Sequence, residues 1–558
     1  MNTLYYGDNL DILKRYVKDE SVDLVYLDPP FNSNATYNVL FAQKDGSQSS
    51  AQIRAFEDTW QWDQNAIWTY ETEVEKGGPI ADGLRAFKLI LGDSNMMAYL
   101  TMMAPRLQEL RRVLKPTGSL YLHCDPTASH YLKILLDMVF GVENFGSNII
   151  WKRSDTHNDA KNQFPAVSDH ILFYRKSIKS IFNRQHTFHA GKTLKEWYSY
   201  LEFPDGTIRK MTKSEKESQS FPTGARRFNA GDMASPNPRP NLMYPYKGFP
   251  FPAKGWRYSK EKMADLDAAG KLLFPSDPNG RIMLKRYLDE QEGPIVGDIW
   301  TDISQLRAFD AERMGYPTQK PEALLERIIN ASSNPGDVVL DPFCGCGTAV
   351  VAAQKLGRQW IGIDITHLAI SLMKRRLEDA FGPDLNYRVI GEPTTYEEAL
   401  SLANQDKFQF QWWSLGLIGA RPVDEKKGAD HGIDGRLYFH DDASGQTKQV
   451  VISVKGGGTN VAHVRDLKGV LEREKAQIGV LITMDEPSKP MRAEAASGGF
   501  YESPWGPNKY PRVQILTIHE LLDGKRIDMP PISQVNQTFR RAPKQSSKQG
   551  DQPTLISD

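Results

Sequence analysis

The pattern of apolar and polar positions alternates between strand and helix spacing over the first part of the chain. It predicts a short strand in "TLYYGD", a helix in "NLDILKRYV" and an apolar strand in "VDLVYLD". A strand that is apolar throughout is typical of a sheet buried on both faces. The alternation continues to about residue 150, interrupted by a polar, Trp-bearing insertion that we place at 41–95.

The same alternation returns in the second half of the chain. Strands are predicted in "DVVLDPF" and "QWIGIDI", and helices in "PEALLERIINASS" and "TAVVAAQKL". Strand–helix–strand units imply a parallel sheet with right-handed crossovers. We therefore predict an α/β protein with a doubly wound, mostly parallel sheet, to which residues 1–150 and 301–392 contribute.

Three other regions do not fit this sheet. Residues 151–300 are rich in basic, aromatic, Pro and Gly residues with weak periodicity, which predicts an inserted region. Residues 393–530 start a new pattern of helices and apolar strands, and we expect a second, smaller α/β domain there. Residues 531–558 are polar without periodicity, which favours a disordered tail.

Composition changes this picture little. The 558 residues carry 69 Lys and Arg against 69 Asp and Glu, so net charge argues neither for nor against a nucleic-acid partner. Three cysteines are too few for a disulfide framework, and the pair Cys344 and Cys346 makes a poor zinc site, so we interpret them as small residues of a tight loop. The N-terminus is polar and no apolar run is long enough to span a membrane, so we expect a cytoplasmic protein without a membrane partner.

A glycine-rich turn is the first candidate for chemistry. A predicted strand ends in Asp341, Gly345 and Gly347 lead into a helix, and the next strand ends in Asp364. Such glycines let the backbone approach a ligand, and the later acid can bind ribose hydroxyls. A dinucleotide site would normally carry a third glycine and a P-loop would need a lysine. A nucleoside cofactor without diphosphate, such as S-adenosylmethionine, is the third interpretation, and a plain tight turn is the fourth.

The second candidate is the end of the strand "VDLVYLD", where the chain continues as "PPFN". Prolines donate no backbone hydrogen bond and stop a strand. Ligands of doubly wound sheets bind beyond the carboxyl ends of strands, near a switch point. Asp28 and Asp341 can therefore be neighbours in space, although 313 positions separate them.

Four blocks together resemble the motifs of amino-methylating DNA methyltransferases. They are "LDPPFN", "GSLYLHCDPTASHYLKILLDMVFG", "GYPTQKPEALLERII" and "DPFCGCGT", in the order of the β-class permutation. The resemblance covers roughly residues 1–380 and implies the S-adenosylmethionine-dependent methyltransferase fold in permuted form. It also implies S-adenosylmethionine as cofactor, no metal in this domain, and double-stranded DNA with a flipped target base as partner.

The resemblance implies a role for each motif residue. Asp28 and a backbone carbonyl of Pro29-Pro30 would accept the two N–H groups of the target amine, and Phe31 would stack on the flipped base. The residues implied to bind the cofactor are Asp8, Thr318, Gln319, Lys320, Asp341, Phe343, Gly345, Gly347 and Asp364. For Asp8 and Thr318 a second interpretation is a helix N-cap.

The activity implied is methylation of adenine N6 in DNA, since Asp rather than Ser stands at position 28. Cytosine-N4 methylation is the alternative enzyme activity, and a non-catalytic DNA-binding protein is the alternative outside catalysis. Residues 151–300 would carry target recognition. A homodimer is a further partner that the sequence leaves open.

The C-terminal domain resembles the Mrr-like branch of the restriction-endonuclease fold, through "GADHGIDG", "QVVISVKGG" and "VRDLKGVLEREKAQIGVLITM". Such nucleases hold Mg²⁺ with an Asp and an acid-x-Lys motif. Asp434 and Lys455 match, whereas Ser453 stands where the family has Glu, Asp or Gln, and a hydroxyl is a weaker ligand for a hard cation. The domain is therefore either the cleavage half of a bifunctional restriction-modification enzyme that depends on Mg²⁺, or a degenerate domain that binds DNA or a partner.

Overall fold

The computed structural model describes residues 1–30, 61–155, 162–187, 193–307, 310–314, 316, 318–423, 432–441, 447–504 and 508–530. Two compact units are present. One runs from Met1 to Asn183 and continues from Gly297 through the C-terminal domain, and the other is Arg184–Val296. The predicted tail at 531–558 lies outside the described residues.

The first stretch of the larger unit alternates strands and helices and contributes five strands to one sheet. Its elements are β1 (Thr3–Tyr6), α1 (Asn9–Tyr16), β2 (Val22–Leu27), α2 (Gln64–Glu75), α3 (Gly78–Leu91), α4 (Asn95–Val113), β3 (Leu114–Cys124), α5 (Pro126–Phe140), β4 (Phe145–Lys152) and β5 (Ser168–Arg175). All six residues of β2 are buried, as its continuous apolar pattern predicts. Polar caps begin the helices: the side chain of Ser94 accepts the N–H of Met97 at α4, and that of Asp125 accepts the N–H of Ala128 at α5.

The smaller unit is an antiparallel structure with its own core. Its elements are β6 (Tyr200–Glu202), β7 (Ile208–Lys210), α6 (Lys213–Ser218), β8 (Arg226–Asp232), α7 (Lys260–Ala268), β9 (Leu272–Leu273) and β10 (Met283–Tyr287). The strands lie in the order β7-β6-β8-β10-β9. Buried Trp256, Met233 and Met263 pack in the core, so the aromatic residues of this region partly serve its own packing.

The chain then returns to the large sheet and completes it. The elements of this stretch are β11 (Ile299–Trp300), α8 (Glu322–Ser332), β12 (Val338–Asp341), α9 (Thr348–Lys355), β13 (Gln359–Asp364), α10 (His367–Phe381) and β14 (Arg388–Ile390). The described strands follow the order β11-β4-β5-β3-β2-β12-β13-β1-β14, and every pairing is parallel except those of β5. This arrangement confirms the predicted doubly wound, mostly parallel α/β sheet.

The structure places the start of the inserted region differently from the sequence prediction. We expected the inserted region to start at residue 151, but β5 pairs with β3 and β4 inside the large sheet. Its run Ile171–Tyr174 is buried, and this apolar stretch is the signal that marks it as a sheet strand. Within the expected insertion at 41–95, the described part forms α2 and α3, which pack against α4.

The C-terminal part of the larger unit forms a second α/β sheet, as predicted. Its elements are α11 (Tyr396–Gln405), α12 (Lys407–Leu417), β15 (Arg421–Pro422), β16 (Gly435–Phe439), β17 (Lys448–Lys455), α13 (Val461–Glu474), β18 (Ile478–Thr483), α14 (Lys489–Ala496), β19 (Phe500–Glu502), β20 (Lys509–Pro511), β21 (Val513–Thr517) and α15 (Ile518–Leu522). The sheet order is β15-β16-β17-β18-β21, antiparallel up to β17 and parallel beyond it. Among the described helices, none combines the length and the apolar character needed to cross a membrane.

A buried ion pair joins two helices of the large sheet to its glycine loop. The guanidinium of Arg376 on α10 donates to the Glu322 carboxylate on α8 over 2.9 Å. It also donates to the Cys346 carbonyl and the Thr348 hydroxyl, each over 3.1 Å. The side chains of Arg376 and Glu322 are 1% and 9% exposed, so losing either partner would leave an uncompensated charge in the interior.

Candidate functional site

The candidate site lies where the connections of the large sheet change direction. β2 and β12 are adjacent parallel strands, with Leu340 opposite Val25. From β12 the chain proceeds to β13 on one side, and β2 is followed in the sheet by β3 on the other. The carboxyl ends of β2 and β12 therefore border one crevice, the position at which open α/β sheets bind ligands.

A cavity of about 940 Å³ opens at this crevice. The predicted site residues that line it are Asp8, Asp28, Pro29, Pro30, Thr318, Gln319, Lys320, Asp341, Phe343, Gly345 and Asp364. Phe31 lies outside the described residues. Gly347 lies behind the loop, against Met373, so of the two glycines Gly345 is the one that lines the cavity.

Both glycines of the loop meet a steric requirement. Gly345 and Gly347 have φ angles of +52° and +77°, in the left-handed region that L side chains rarely adopt. A Cβ at Gly345 would lie 3.1 Å from the Tyr316 ring, and one at Gly347 would lie 2.6 Å from Cγ of Met373. The loop therefore keeps its close turn only with glycine at these positions.

The cysteines between and before the glycines are buried thiols. Burial raises the pKa of both Cys344 and Cys346. The thiol of Cys344 lies 3.1 Å from the sulfur of Met373. These contacts agree with the interpretation of the two cysteines as small residues that pack in a tight loop.

Carboxyl groups are concentrated around the loop. The Asp341 side chain is buried, and burial raises its pKa to about 8, with Asp28 and Asp364 adding to the effect. Burial also raises the pKa of Asp364. One Asp364 oxygen accepts the N–H of Gly345 over 2.9 Å, and the other accepts the N–H of Thr366 over 2.9 Å. Such a crevice favours a cationic ligand over a phosphate.

Lys320 is a cation that the structure places among these acids. Its ammonium group donates to Oδ2 of Asp28, and both side chains are mostly buried. The pair links the segment before α8 to the end of β2. It holds the Asp28 carboxylate in a defined orientation.

The expected N-cap at Thr318 is wrong. Helix α8 begins at Glu322, with Pro321 at the capping position. A proline disfavours helical geometry in the residue before it, so Lys320 cannot join the helix. The N–H of Glu322, the first of α8, instead donates to the carboxylate of Glu312 over 3.3 Å.

Asp8 does occupy the N-cap position of α1. One of its oxygens accepts the N–H of Leu10 over 2.8 Å, and the other accepts from Arg106 over 2.7 Å. Because Asp8 also lines the cavity, capping and a position at the site coexist in this residue.

Gln319 fixes the shape of the segment in front of the glycine loop. Its side-chain oxygen accepts the N–H of Met314 over 2.8 Å, and its amide group donates to the carbonyl of Glu312 over 2.6 Å. The Gln319 side chain is thus bound to Glu312 and Met314 while also lining the cavity.

Sequence reasoning missed a buried hydrogen-bonded chain beside Asp28. The Tyr26 hydroxyl lies 3.0 Å from Nδ1 of His123, and Nε2 of His123 lies 3.2 Å from the Asp169 carboxylate. His123 is completely buried, and Tyr26 lines the cavity two residues before Asp28. A histidine inside the apolar strand "SLYLHCD" was the available signal, since a buried imidazole needs partners.

A second missed network ties the β1–α1 turn to the glycine loop. Arg106 donates to the side-chain oxygen of Asn9 over 2.7 Å, and the Asn9 amide group donates to the carbonyl of Pro342 over 2.8 Å. Arg106 stands in the apolar pattern of α4, which is the only local sign of this role. The network fixes Pro342 next to the buried acid Asp341.

The geometry agrees with comparisons to known proteins. Residues 22–375 match the sequence model of a family described as N6/N4 DNA methylase, which spans more than half of the chain. The chain belongs to this DNA methylase family. Membership confirms two predictions, DNA as the substrate and S-adenosylmethionine as the cofactor.

Individual relatives of the DNA methylase are moderately similar. The type II methyltransferase M.EcaI of Enterobacter cloacae is 30% identical over 388 residues, which cover 69% of this chain and 71% of that protein. The DNA adenine methyltransferase YhdJ of Escherichia coli K12 is 25% identical over 378 residues, 68% of this chain and 83% of that protein. A crystal structure of a DNA modification methylase of Thermus thermophilus, complexed with S-adenosyl-L-methionine, is 17% identical, with a TM-score of 0.32, and covers 71% of this chain and 100% of that chain.

The C-terminal domain of the DNA methylase matches a different family. Residues 409–523 match a family described as NACHT-associated inactive Restriction Endonuclease 1. This match confirms the expected likeness of the domain to restriction endonucleases.

The residues predicted to hold Mg²⁺ in that domain lie together and contact one another. Oδ2 of Asp434 accepts the Ser453 hydroxyl over 3.1 Å and the N–H of Val454 over 2.5 Å, and Nζ of Lys455 lies 3.7 Å from it. Within the described part of the chain, no three His, Cys, Asp or Glu side chains are grouped as metal ligands would be. One carboxylate that is already hydrogen-bonded is a poor donor set for a hard divalent cation.

The raised pKa of Asp341 predicts a pH-dependent stability. The folded protein retains this proton between pH 3.8 and about 8, where the unfolded chain has released it, so stability falls as the pH rises through this window. In Asp341→Asn that loss is absent. The free energy of unfolding of Asp341→Asn, relative to that of the wild type, should therefore rise by about 1.4 kcal/mol per pH unit, as measured by urea unfolding.

A matched control is Asp384→Asn, which removes an exposed carboxylate and shows how an ordinary surface acid alters the curve. Parallel stability curves of wild type and Asp341→Asn between pH 5 and pH 8 would contradict the assignment of this proton.

Proposed function

We propose that the protein transfers a methyl group from S-adenosylmethionine to the N6 amine of adenine in DNA. One observation carries the proposal. Asp28 at the end of β2 and the glycine loop at the end of β12 line a single cavity, although they lie in distant parts of the chain. A volume of about 940 Å³ has room for a nucleoside cofactor together with a base.

The charge of the cavity supports this cofactor over the other ligands that its glycine loop could suit. A dinucleotide or a triphosphate brings negative charge next to Asp341 and Asp364, whose pKa values are already raised by burial. S-adenosylmethionine supplies a methyl group on a positively charged sulfonium, which these acids attract. Gly345 keeps the turn that lines this cavity, since a Cβ there would lie 3.1 Å from the Tyr316 ring.

The residues around Asp28 define how the target amine would be held. Oδ2 of Asp28 accepts from Lys320, which leaves Oδ1 to accept one N–H of the amine. A carbonyl of the Pro29-Pro30 segment accepts the other. Two acceptors aimed at the amine keep its lone pair directed at the methyl carbon, and acceptors fixed in advance stabilise the charge that develops during transfer.

Adenine is favoured over cytosine by the charge at position 28. Within the resemblance, Asp goes with adenine N6 and Ser with cytosine N4. The adenine methyltransferase YhdJ, a relative over 68% of this chain, also supports this choice. The target base would leave the duplex to reach Asp28, as bases do in enzymes that act on their exocyclic groups.

Target recognition is assigned to the smaller unit, Arg184–Val296. Trp197 and Phe251 expose 63% and 42% of their surface there, and Lys195 and Lys254 are close to them in the sequence. Cationic side chains contact the phosphates of DNA. Sequence-dependent contacts are made to the base edges, where exposed aromatic rings can pack.

The chemical product tests the proposal. Purified protein is incubated with plasmid DNA and S-adenosylmethionine labelled in its methyl group, and the DNA is digested to nucleosides and separated by chromatography. The label is expected in N6-methyladenine. Label in N4-methylcytosine would establish the cytosine-directed activity instead, and unlabelled DNA across several plasmid sequences would overturn the proposal.

Asp28→Ala should lower the rate of methyl transfer by about 10²–10³-fold, because one of the two fixed acceptors of the amine is lost. Binding of S-adenosylmethionine, measured by calorimetry, should persist in this variant. Asp19→Ala removes an exposed acid paired with Arg112 and serves as the matched control. A transfer rate close to wild type in Asp28→Ala would exclude a mechanism in which this carboxylate holds the amine.

We further propose that the C-terminal domain does not cleave DNA. The occupied carboxylate of Asp434 supports this, as does the inactive endonuclease family that residues 409–523 match. Supercoiled plasmid with Mg²⁺ should remain intact on agarose gels with wild type and with Lys455→Ala alike. Nicking by the wild type that disappears in Lys455→Ala would restore the bifunctional alternative.

A further inference from the structure

The C-terminal domain reaches the cavity at the carboxyl ends of β2 and β12. The turn between α11 and α12, which we call the α11–α12 corner (402–412), contributes part of its wall. The corner residues that line the cavity include Asn404, Asp406, Lys407, Phe408, Gln409 and Trp412. All of them follow residue 375, where the match to the DNA methylase family ends.

We propose that the α11–α12 corner completes the cofactor site and binds the nucleoside end of S-adenosylmethionine. The inference rests on the proposed function, since it assigns this cavity to the methyl donor. It adds that part of the binding site belongs to the domain that resembles an endonuclease, and that cofactor binding and the position of this domain are coupled.

A short series of hydrogen bonds connects the corner to the acid expected at the ribose. The side-chain oxygen of Gln409 accepts the backbone N–H of His367 over 3.1 Å. His367 directly follows Thr366, whose N–H and hydroxyl donate to Asp364 over 2.9 Å each. The corner is therefore attached to the same loop that presents Asp364 to the cavity.

Ring packing also fixes His367, the residue that Gln409 contacts. His367 is completely buried and stacks on Tyr6 at the end of β1, with ring centroids 3.6 Å apart. Burial raises the pKa of the Tyr6 phenol, and the Asp406 carboxylate of the corner adds to this effect. Helix α12 packs along α10, the helix that His367 begins.

The chemistry of this wall suits a purine ring. Ile365, the residue after Asp364, lines the cavity with 57% of its surface exposed. Phe408 and Trp412 line the same cavity from the corner. Aromatic and apolar surfaces accept the faces of a base, and the carboxylate of Asp406 can accept from its amino edge.

The same helix also contacts the remnant of the endonuclease site. Gln411 on α12 donates its side-chain amide to the carbonyl of Asp434 over 3.3 Å. Residues of α12 thus touch the cofactor cavity on one side and β16–β17 on the other. Cofactor binding is expected to stabilise the C-terminal domain together with the methyltransferase sheet, since a ligand stabilises every region whose folded form it requires.

The first test measures the affinity of the purified full chain for S-adenosylmethionine by calorimetry. Phe408→Ala should weaken binding by roughly tenfold, the effect of losing one base-stacking ring. The matched control is Phe500→Ala, which removes an exposed ring of the same domain on β19 and should bind like wild type. Wild-type affinity in a folded Phe408→Ala would overturn the inference.

The second test needs no variant and uses hydrogen exchange of the full chain with and without S-adenosylmethionine. Amides of 402–412 should become protected, along with those of the glycine loop. Protection of the glycine loop without any change at 402–412 would overturn the inference while leaving the proposed function intact. Failure of the wild type to methylate DNA or to bind S-adenosylmethionine would instead overturn the proposed function itself.

Discussion

The parallel pairing of β2 with β12 is the constraint on which the site depends. These two strands come from stretches of the chain that are separated by β3, β4, β5 and the whole of the smaller unit. Because they lie side by side and point the same way, every residue that follows either strand enters the same crevice. Asp28 and the glycine loop need no direct bond to each other, since the sheet positions both.

Bringing acids together in a buried crevice has an electrostatic cost that the structure only partly offsets. Lys320 pairs with Asp28, and backbone N–H groups donate to both Asp364 and Asp341, but burial still raises the pKa of Asp341. A sheet that needed only stability would place an apolar residue at that position. The unfavourable ionisation of Asp341 makes sense as a property of a site whose ligand brings positive charge, because binding then relieves the repulsion.

The parts of this fold that local pattern can encode were predictable, and the parts that depend on long-range contacts were not. The apolar runs of β2, β12 and β13 and the glycines of the loop are local signals, and they located both halves of the site. Arg106 and His123 sit within apolar patterns, and their partners, Asn9 and Asp169, lie far away in the sequence. Thr318 shows the opposite error: a good capping residue in a suitable position was overruled by Pro321.

The α11–α12 corner is a feature that no sequence motif indicates. Its sequence, from "LANQ" to "QFQW", reads as an amphipathic surface between two domains, and only the cavity it lines gives it a chemical context. The sheet of the C-terminal domain supports α12 from behind through β17. The proposed cofactor wall gives this domain a role that does not depend on DNA cleavage. On this view the buried contacts of Gln409 and His367, rather than Asp434 and Lys455, connect the domain to the chemistry of the protein.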